Sequence, residues 1–381
     1  MTTRIITSLL AISMIAVNSP AAFGMEINAA DASVRIMGRT AEKDGSVTMA
    51  FPGVEMEVKF TGSASVSMRG EVLNNHGWYN YYVDGATQPF LEIITGKFNV
   101  KLADNLDPKA VHTIRIVRRS ESWEGVVRVD GFSLDDGAKI LSPDPLPARK
   151  ILAIGDSITC GYNIEYTDPK RPGDCNSNAE LTYEWDLARR FNAQVEIVAY
   201  GGKGLVRDWR GMNTQMLKDA AAEGTFSNPR EIVTAPDFFE RALPDDPSSV
   251  WDHSKYQPDL VVICIGQNDF SQVSLPVSEY VPEYVKFVDR IHSVYPAAKI
   301  LVLSSPMAEK MRDDGWQPRG IALERAIVLL DQHYIRLGDP IVMPLFLGQH
   351  LGPLDAHPTS AEHKLIANEM EPIVEFLTGW K

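Results

Sequence analysis

The sequence predicts a two-part fold: an all-β, jelly-roll-like sandwich followed by an α/β domain built on a parallel sheet. Three observations carry that expectation. A period-two, turn-rich pattern runs from about residue 34 to 141. A proline-rich connector follows at Ser142-Pro143-Asp144-Pro145-Leu146-Pro147. Beyond it, short apolar runs alternate with helical segments. A chain of 381 residues has room for two cores, and 44% hydrophobic with 23% charged residues is a globular composition, which excludes a disordered linker. The formal net charge of -13, with no Lys/Arg-rich run, speaks against nucleic acid as a partner.

Residues 1–24 read as an export signal: Arg4 supplies a positive start, Ile5 to Val17 is mostly apolar, and Ala22-Phe23-Gly24 places small residues at a cleavage site. The apolar stretch is too short to span about 30 Å of hydrocarbon as a helix. No later run approaches that length, so no membrane span is expected once the signal is removed. The mature chain, with 36 basic and 50 acidic residues, then carries -14. The expected location is secreted or periplasmic. In such an oxidising compartment a disulfide between Cys160 and Cys175 is plausible, since a Gly/Pro/Asp/Asn-rich stretch separates them, while Cys264 in Val261-Val262-Ile263-Cys264-Ile265 reads as a buried hydrophobe. No Cys/His spacing suggests a metal site.

The sandwich is placed at 25–145. Val54, Met56, Val58 and Phe60 alternate with polar residues, as do Ile114 and Ile116, and Val127 and Val129, which is the pattern of half-buried strands. Asp84-Gly85 after Trp78-Tyr79-Asn80-Tyr81-Tyr82-Val83 signals a hairpin. The second domain is placed at 146–381. Strands are expected at Ile151–Ile154, Val195–Ala199, Leu260–Ile265 and Ile300–Leu303, and helices near 180–190, 277–295, 320–337 and 360–378. Thr359-Ser360-Ala361-Glu362 is a capping-box start for the last of these.

Chemistry-bearing residues recur at the carboxyl ends of these strands, where open parallel sheets place their sites. Gly155-Asp156-Ser157 follows the first strand and offers a nucleophile, although alone it reads equally as a strand-to-helix turn with a capping residue. Gly201-Gly202-Lys203-Gly204 follows the second and can bring a backbone N–H to a developing oxyanion, with the donating glycine open among Gly201, Gly202 and Gly204. Asn268, after the third strand, has a side-chain amide able to donate to the same oxygen. His357, before the final helix, is able to take a serine proton and return it to a leaving alcohol.

The order Gly-Asp-Ser, Gly, Asn, His-Pro resembles the SGNH (GDSL) hydrolase superfamily from roughly residue 148 onward. The runs Gly155-Asp156-Ser157-Ile158-Thr159-Cys160-Gly161-Tyr162, Gly202-Lys203-Gly204-Leu205-Val206-Arg207, and Trp251-Asp252 ahead of Gln257-Pro258-Asp259-Leu260-Val261-Val262 look more narrowly like carbohydrate esterase family two acetylxylan esterases. That resemblance implies a three-layer SGNH domain behind a β-sandwich, and removal of acetyl groups from an acetylated plant cell-wall polysaccharide or oligosaccharide without a cofactor. Ser157 then matches the nucleophile and His357 the general base. The Ser157 and Gly202 amides with the Asn268 side chain match the oxyanion hole. Gln267 stands where the family has Thr, and Leu354 where much of the superfamily has the third triad residue. Asp355, two residues before His357, is the expected orienting carboxylate, with a backbone carbonyl as the alternative.

Trp209 is read as a sugar-stacking residue against the plainer role of a packing anchor, and Arg207 as a salt-bridge partner in the same loop. Trp78, Tyr79, Tyr81 and Tyr82 read as core before carbohydrate platform. Asp156 and Asp269 read as turn-fixing residues. A lipid or thioester hydrolase and a non-catalytic carbohydrate-binding protein are the rival readings, the second disfavoured because Ser157, Asn268 and His357 are all present.

Overall fold

The computed structural model describes residues 24–166, 176–227, 231–272, 274–308, 319–352 and 357–381. Residues 1–23 of the segment read as an export signal lie outside the described residues, as do Cys175 and Asp355. The pairing of Cys160 with Cys175 therefore does too; Cys160 and Cys264 are both buried thiols.

The period-two segment forms an antiparallel sheet system with eleven strands among the described residues. Its main path runs Lys139–Leu141, Glu55–Thr61, Val111–Arg118, Val66–Val83, Gly125–Leu134, Ser46–Met49, Ala41–Lys43. The alternation sets the register: Met56 lies opposite Ile116 and Val58 opposite Ile114, so apolar residues from both strands share one face of a core completed by Phe60, Met68 and Phe132. Asp84 and Gly85 both take positive φ, 51° and 79°, which turns Val66–Val83 back into Ala86–Thr87.

The expectation of half-buried strands holds only in part. Glu55 and Glu57, on the polar face of their strand, are also buried. Arg35 donates to both, and Arg115 bridges Glu55 to Glu180 of the second domain at 2.8 and 2.9 Å. The face that alternation assigns to solvent is covered by charge pairs and by the neighbouring domain. The aromatic run has the same fate. Tyr79 is fully buried, whereas Tyr82 donates its hydroxyl proton to Glu180 at 2.7 Å and stacks under the Arg115 guanidinium.

The second domain is a five-stranded parallel sheet in the order Ala193–Ala199, Arg149–Gly155, Leu260–Cys264, Lys299–Leu303, Val342–Leu345. Its strands are near-continuous apolar runs because helices cover both faces. Tyr183–Arg190 and Ser360–Thr378 belong to one layer, and Val277–Val294 and Arg319–Leu337 to the other, with Tyr280, Tyr284, Phe287 and Ile291 inward. The last helix starts with the expected box: the Thr359 amide and hydroxyl both donate to Glu362. The strand Arg149–Gly155 lies between the strands that follow it in sequence, so the chain direction across the sheet reverses there, and a cleft opens at the strand carboxyl ends.

The two domains are joined by buried polar contacts. Arg39, with no solvent exposure, donates from Nε to Glu196 Oε1 at 2.9 Å, and from Nη1 to the carbonyls of Phe239 and Arg241 at 2.5 and 3.1 Å. Its guanidinium lies 4.7 Å from the Trp251 ring centroid. Among the described residues no helix is long and apolar enough to cross a membrane.

Candidate active site

Ser157 opens the short helix Ser157–Cys160 at the carboxyl end of Arg149–Gly155. Asp156 caps that helix, its Oδ1 accepting the Ile158 amide at 3.0 Å. The Ser157 hydroxyl lies 2.9 Å from His357 Nε2, across 200 residues of sequence. Tyr162 sets its ring against the imidazole edge-on, centroids 5.1 Å apart, and Trp123 of the β domain packs against Tyr162.

Asn268 joins the same site. Its Nδ2 donates to the Lys203 carbonyl at 2.9 Å and to Asp156 Oδ2 at 3.1 Å. Because a carbonyl can only accept, this assigns the amide orientation and directs the nitrogen inward. Burial pushes the Asp156 carboxyl up to about 7, against the pull of the Ile158 amide and of His357.

The glycine turn separates its three amides by their partners. The Gly201 N–H donates to the Glu121 carboxylate and the Gly204 N–H to the Arg207 carbonyl at 2.8 Å. Among the described residues the Gly202 N–H has no protein acceptor. Gly202 is held at φ +74°, its carbonyl accepts the Trp209 amide at 2.8 Å, and a Cβ there would lie 2.6 Å from Trp209 Cδ1. Asp269 fixes the continuation by accepting the amides of Leu205, Val206 and Arg207 at 2.7–2.9 Å. Burial raises that carboxyl to about 6, while the three amides pull it back.

These residues line one cavity of about 600 Å³ that holds Ser157, His357, Gly202, Asn268 and Trp209, together with Glu121 and Trp123 from the β domain. Trp209 is 52% exposed at the rim. The expectation for Arg207 is corrected: among the described residues the loop's ion pairs belong to Arg210, which binds Asp208 and Glu231 at 2.5 and 3.2 Å. Glu121 and Trp123 had no sequence signal, since nothing in Glu121-Ser122-Trp123-Glu124 indicates that this loop enters the other domain. Among the described residues there is no cluster of three metal-ligating side chains.

Behind Ser157, Tyr183 links its helix to a buried histidine. The Tyr183 hydroxyl pairs with Thr159 Oγ1 at 2.9 Å, its amide donates to His363 Nδ1 at 3.2 Å, and the two rings stack. Burial drives His363 down to about 3, so the ring is neutral and free to accept.

Residues 153–365 match the GDSL-like Lipase/Acylhydrolase family, more than half of the chain. The chain belongs to that family. Residues 36–144 match the N-terminal domain of carbohydrate esterase family 2. This GDSL-type hydrolase is 28% identical over 357 residues to an acetylxylan esterase / glucomannan deacetylase of Cellvibrio japonicus, covering 93% of this chain and 91% of the relative. Among solved structures it resembles a family two carbohydrate esterase from Cellvibrio japonicus, with TM-score 0.79, 29% identity, and 93% and 98% of the two chains covered. It also resembles one from Clostridium thermocellum in complex with cellohexaose, with TM-score 0.77, 27% identity, and 91% and 100% covered. The chain is thus an ester hydrolase of the family 2 carbohydrate esterase type, with its β-sheet domain in front of an SGNH parallel-sheet domain.

Proposed function

We propose that the protein is an exported carbohydrate O-acetyl esterase that deacetylates xylan or a related hemicellulose such as glucomannan through an acyl-enzyme on Ser157. The observation that carries the mechanism is the 2.9 Å contact between the Ser157 hydroxyl and His357 Nε2, in a cavity shared with Gly202 and Asn268. The relatives named for xylan and glucomannan support the substrate class.

In this reading Ser157 Oγ attacks the acetyl carbonyl while His357 Nε2 takes its proton. The carbonyl oxygen becomes an oxyanion that accepts the Ser157 and Gly202 amides and the Asn268 side chain, for which Asn268 gives up one of its two present acceptors. His357 then protonates the departing sugar hydroxyl. Water, deprotonated by the same ring, attacks the acetyl-serine and releases acetate. Asp355 or a backbone carbonyl orients the imidazole and sets its tautomer. Trp209 at the rim offers a flat apolar face to a sugar ring. The segment 1–24 directs export, and a mature charge of -14 suits a neutral glycan.

Acetate release from acetylated xylan and acetylated glucomannan, run beside Ser157→Ala, tests this. Release that disappears in the variant supports serine-dependent deacetylation, and the faster polymer identifies the substrate. Absence of release from both polymers by folded wild-type protein refutes it.

A further inference from the structure

The loop joining Val111–Arg118 to Gly125–Leu134 leaves the β domain and enters the hydrolase cleft. Several of its anchors do not involve the Glu121 side chain. Arg118 Nη2 donates to the Glu121 carbonyl at 3.0 Å, the Glu121 amide donates to Glu124 at 2.9 Å, the Arg119 carbonyl accepts the Ala179 amide at 3.0 Å, and Ser177 donates to Glu124 at 2.8 Å. Within the loop the Glu121 carboxylate closes a capping box with Glu124 and takes the Trp123 side chain. It also reaches the glycine turn of the other domain, where it accepts the Gly201 amide proton. The approach is close enough that a Cβ on residue 201 would lie 2.5 Å from Oε1.

Two restraints thus bracket Gly202. The residue before it is tied to Glu121, and its own carbonyl is tied to the Trp209 amide. Between them lies the peptide unit whose N–H has no protein acceptor among the described residues. We propose that Glu121 is a positioning residue of the esterase: by binding the Gly201 amide it fixes the Tyr200–Gly201 peptide, which with the Trp209 bond on the far side limits rotation of the Gly201–Gly202 peptide between them, so that the β domain helps to set one donor of the oxyanion hole. This inference rests on the reading of Gly202 as an oxyanion donor. Burial favours the protonated carboxyl, as do the neighbouring carboxylates of Asp156 and Asp245, whereas the Gly201 amide and the Trp123 and Cys160 side chains favour the charged form. In either state an oxygen remains to accept the amide, and the protonated state does so without placing negative charge behind the forming oxyanion.

The test compares wild type, Glu121→Gln, Glu121→Ala and Ser157→Ala on acetylated xylan and an aryl acetate, with thermal melts as a folding control. Gln keeps an acceptor oxygen for Gly201 and is expected to hold kcat within about threefold of wild type. Ala removes the acceptor and is expected to lower kcat about 10²-fold with KM within about twofold, because the misplaced donor acts only on the transition state. If Ala fails to fold, Glu121→Asp, which withdraws the carboxylate by one methylene, carries the same expectation. Unchanged kcat in Ala, an equal loss in Ala and Gln, or a loss confined to KM overturns the inference. Ser157→Ala separates the two levels: if it still turns over, the esterase reading itself fails, whereas an inert Ser157→Ala beside a fully active Glu121→Ala removes only the role of Glu121.

Discussion

Replacing Arg39 by Met tests how the two domains are held together. The substitution keeps the length of the stem but removes the cation, the Nε bond to Glu196 and both bonds to the Phe239 and Arg241 carbonyls. Glu196, 1% exposed, is left without its arginine. Breaking one half of a buried pair in this way costs about 3–5 kcal/mol, most of it from the charge left behind. Burial already raises the Glu196 carboxyl despite Arg39, so losing Arg39 moves it further up. An acid whose folded pKa lies above its unfolded value loses stability as pH rises through that interval, so the deficit of Arg39→Met should be smaller at pH 5 than at pH 8. The double variant Arg39→Met/Glu196→Leu, which replaces the pair with apolar groups, should recover at least half of the single-variant loss. Urea unfolding followed by tryptophan fluorescence and by circular dichroism measures this, two probes being needed because a two-domain chain can unfold in two steps. A single-variant loss below about 1 kcal/mol, or a double variant as unstable as the two losses added together, would refute the reasoning.

Gly202→Ala forces a left-handed backbone on a residue with a side chain, at about 1–2 kcal/mol, and drives its Cβ into Trp209. A larger fall in kcat than in melting stability is expected, and the converse would argue against Gly202 as a donor. His363 binds its proton far less readily folded than unfolded, so its contribution to stability is complete above about pH 6.5 and falls by about 1.4 kcal/mol per pH unit below that, toward pH 3. The stability advantage of wild type over His363→Gln should therefore shrink by about 2 kcal/mol between pH 7 and pH 5 in urea titrations, and a constant difference would show that His363 does not titrate there. Trp209→Ala should raise KM for the polymer severalfold while changing KM for a small aryl acetate little, with stability within about 0.5 kcal/mol of wild type. Equal effects on both substrates would assign Trp209 to packing.

Four of the five parallel strands were legible because they are largely apolar runs followed within two residues by glycine or serine. The fifth, Val342–Leu345, is four residues long with Pro344 inside it, a composition tolerated only because it lies at the sheet edge. The helix Thr214–Ala222 is nine residues long with Leu217 as its buried residue, too short a run for its period to stand out, and Ala235–Phe239 is barely more than a turn. At the site, Ser157, Asn268 and His357 stood out because each follows a strand or precedes a capped helix at a position with chemical meaning. Glu121 and Trp123 did not, because their role arises from the docking of one domain on the other. A burial pattern read within one strand does not register a partner 80 residues away.

The cavity wall that contains Trp123 belongs to a different folding unit from Ser157 and His357. Its shape is therefore adjustable by substitutions at Trp123 that keep Glu121, in a loop that the β sheet supports from behind. Grafting the Trp123 side of this loop between family 2 esterases with Glu121 retained would alter the fit of the sugar, while transplanting the parallel-sheet half alone would carry Ser157 and His357 but lose the Glu121 contact and leave one side of the cleft open to water.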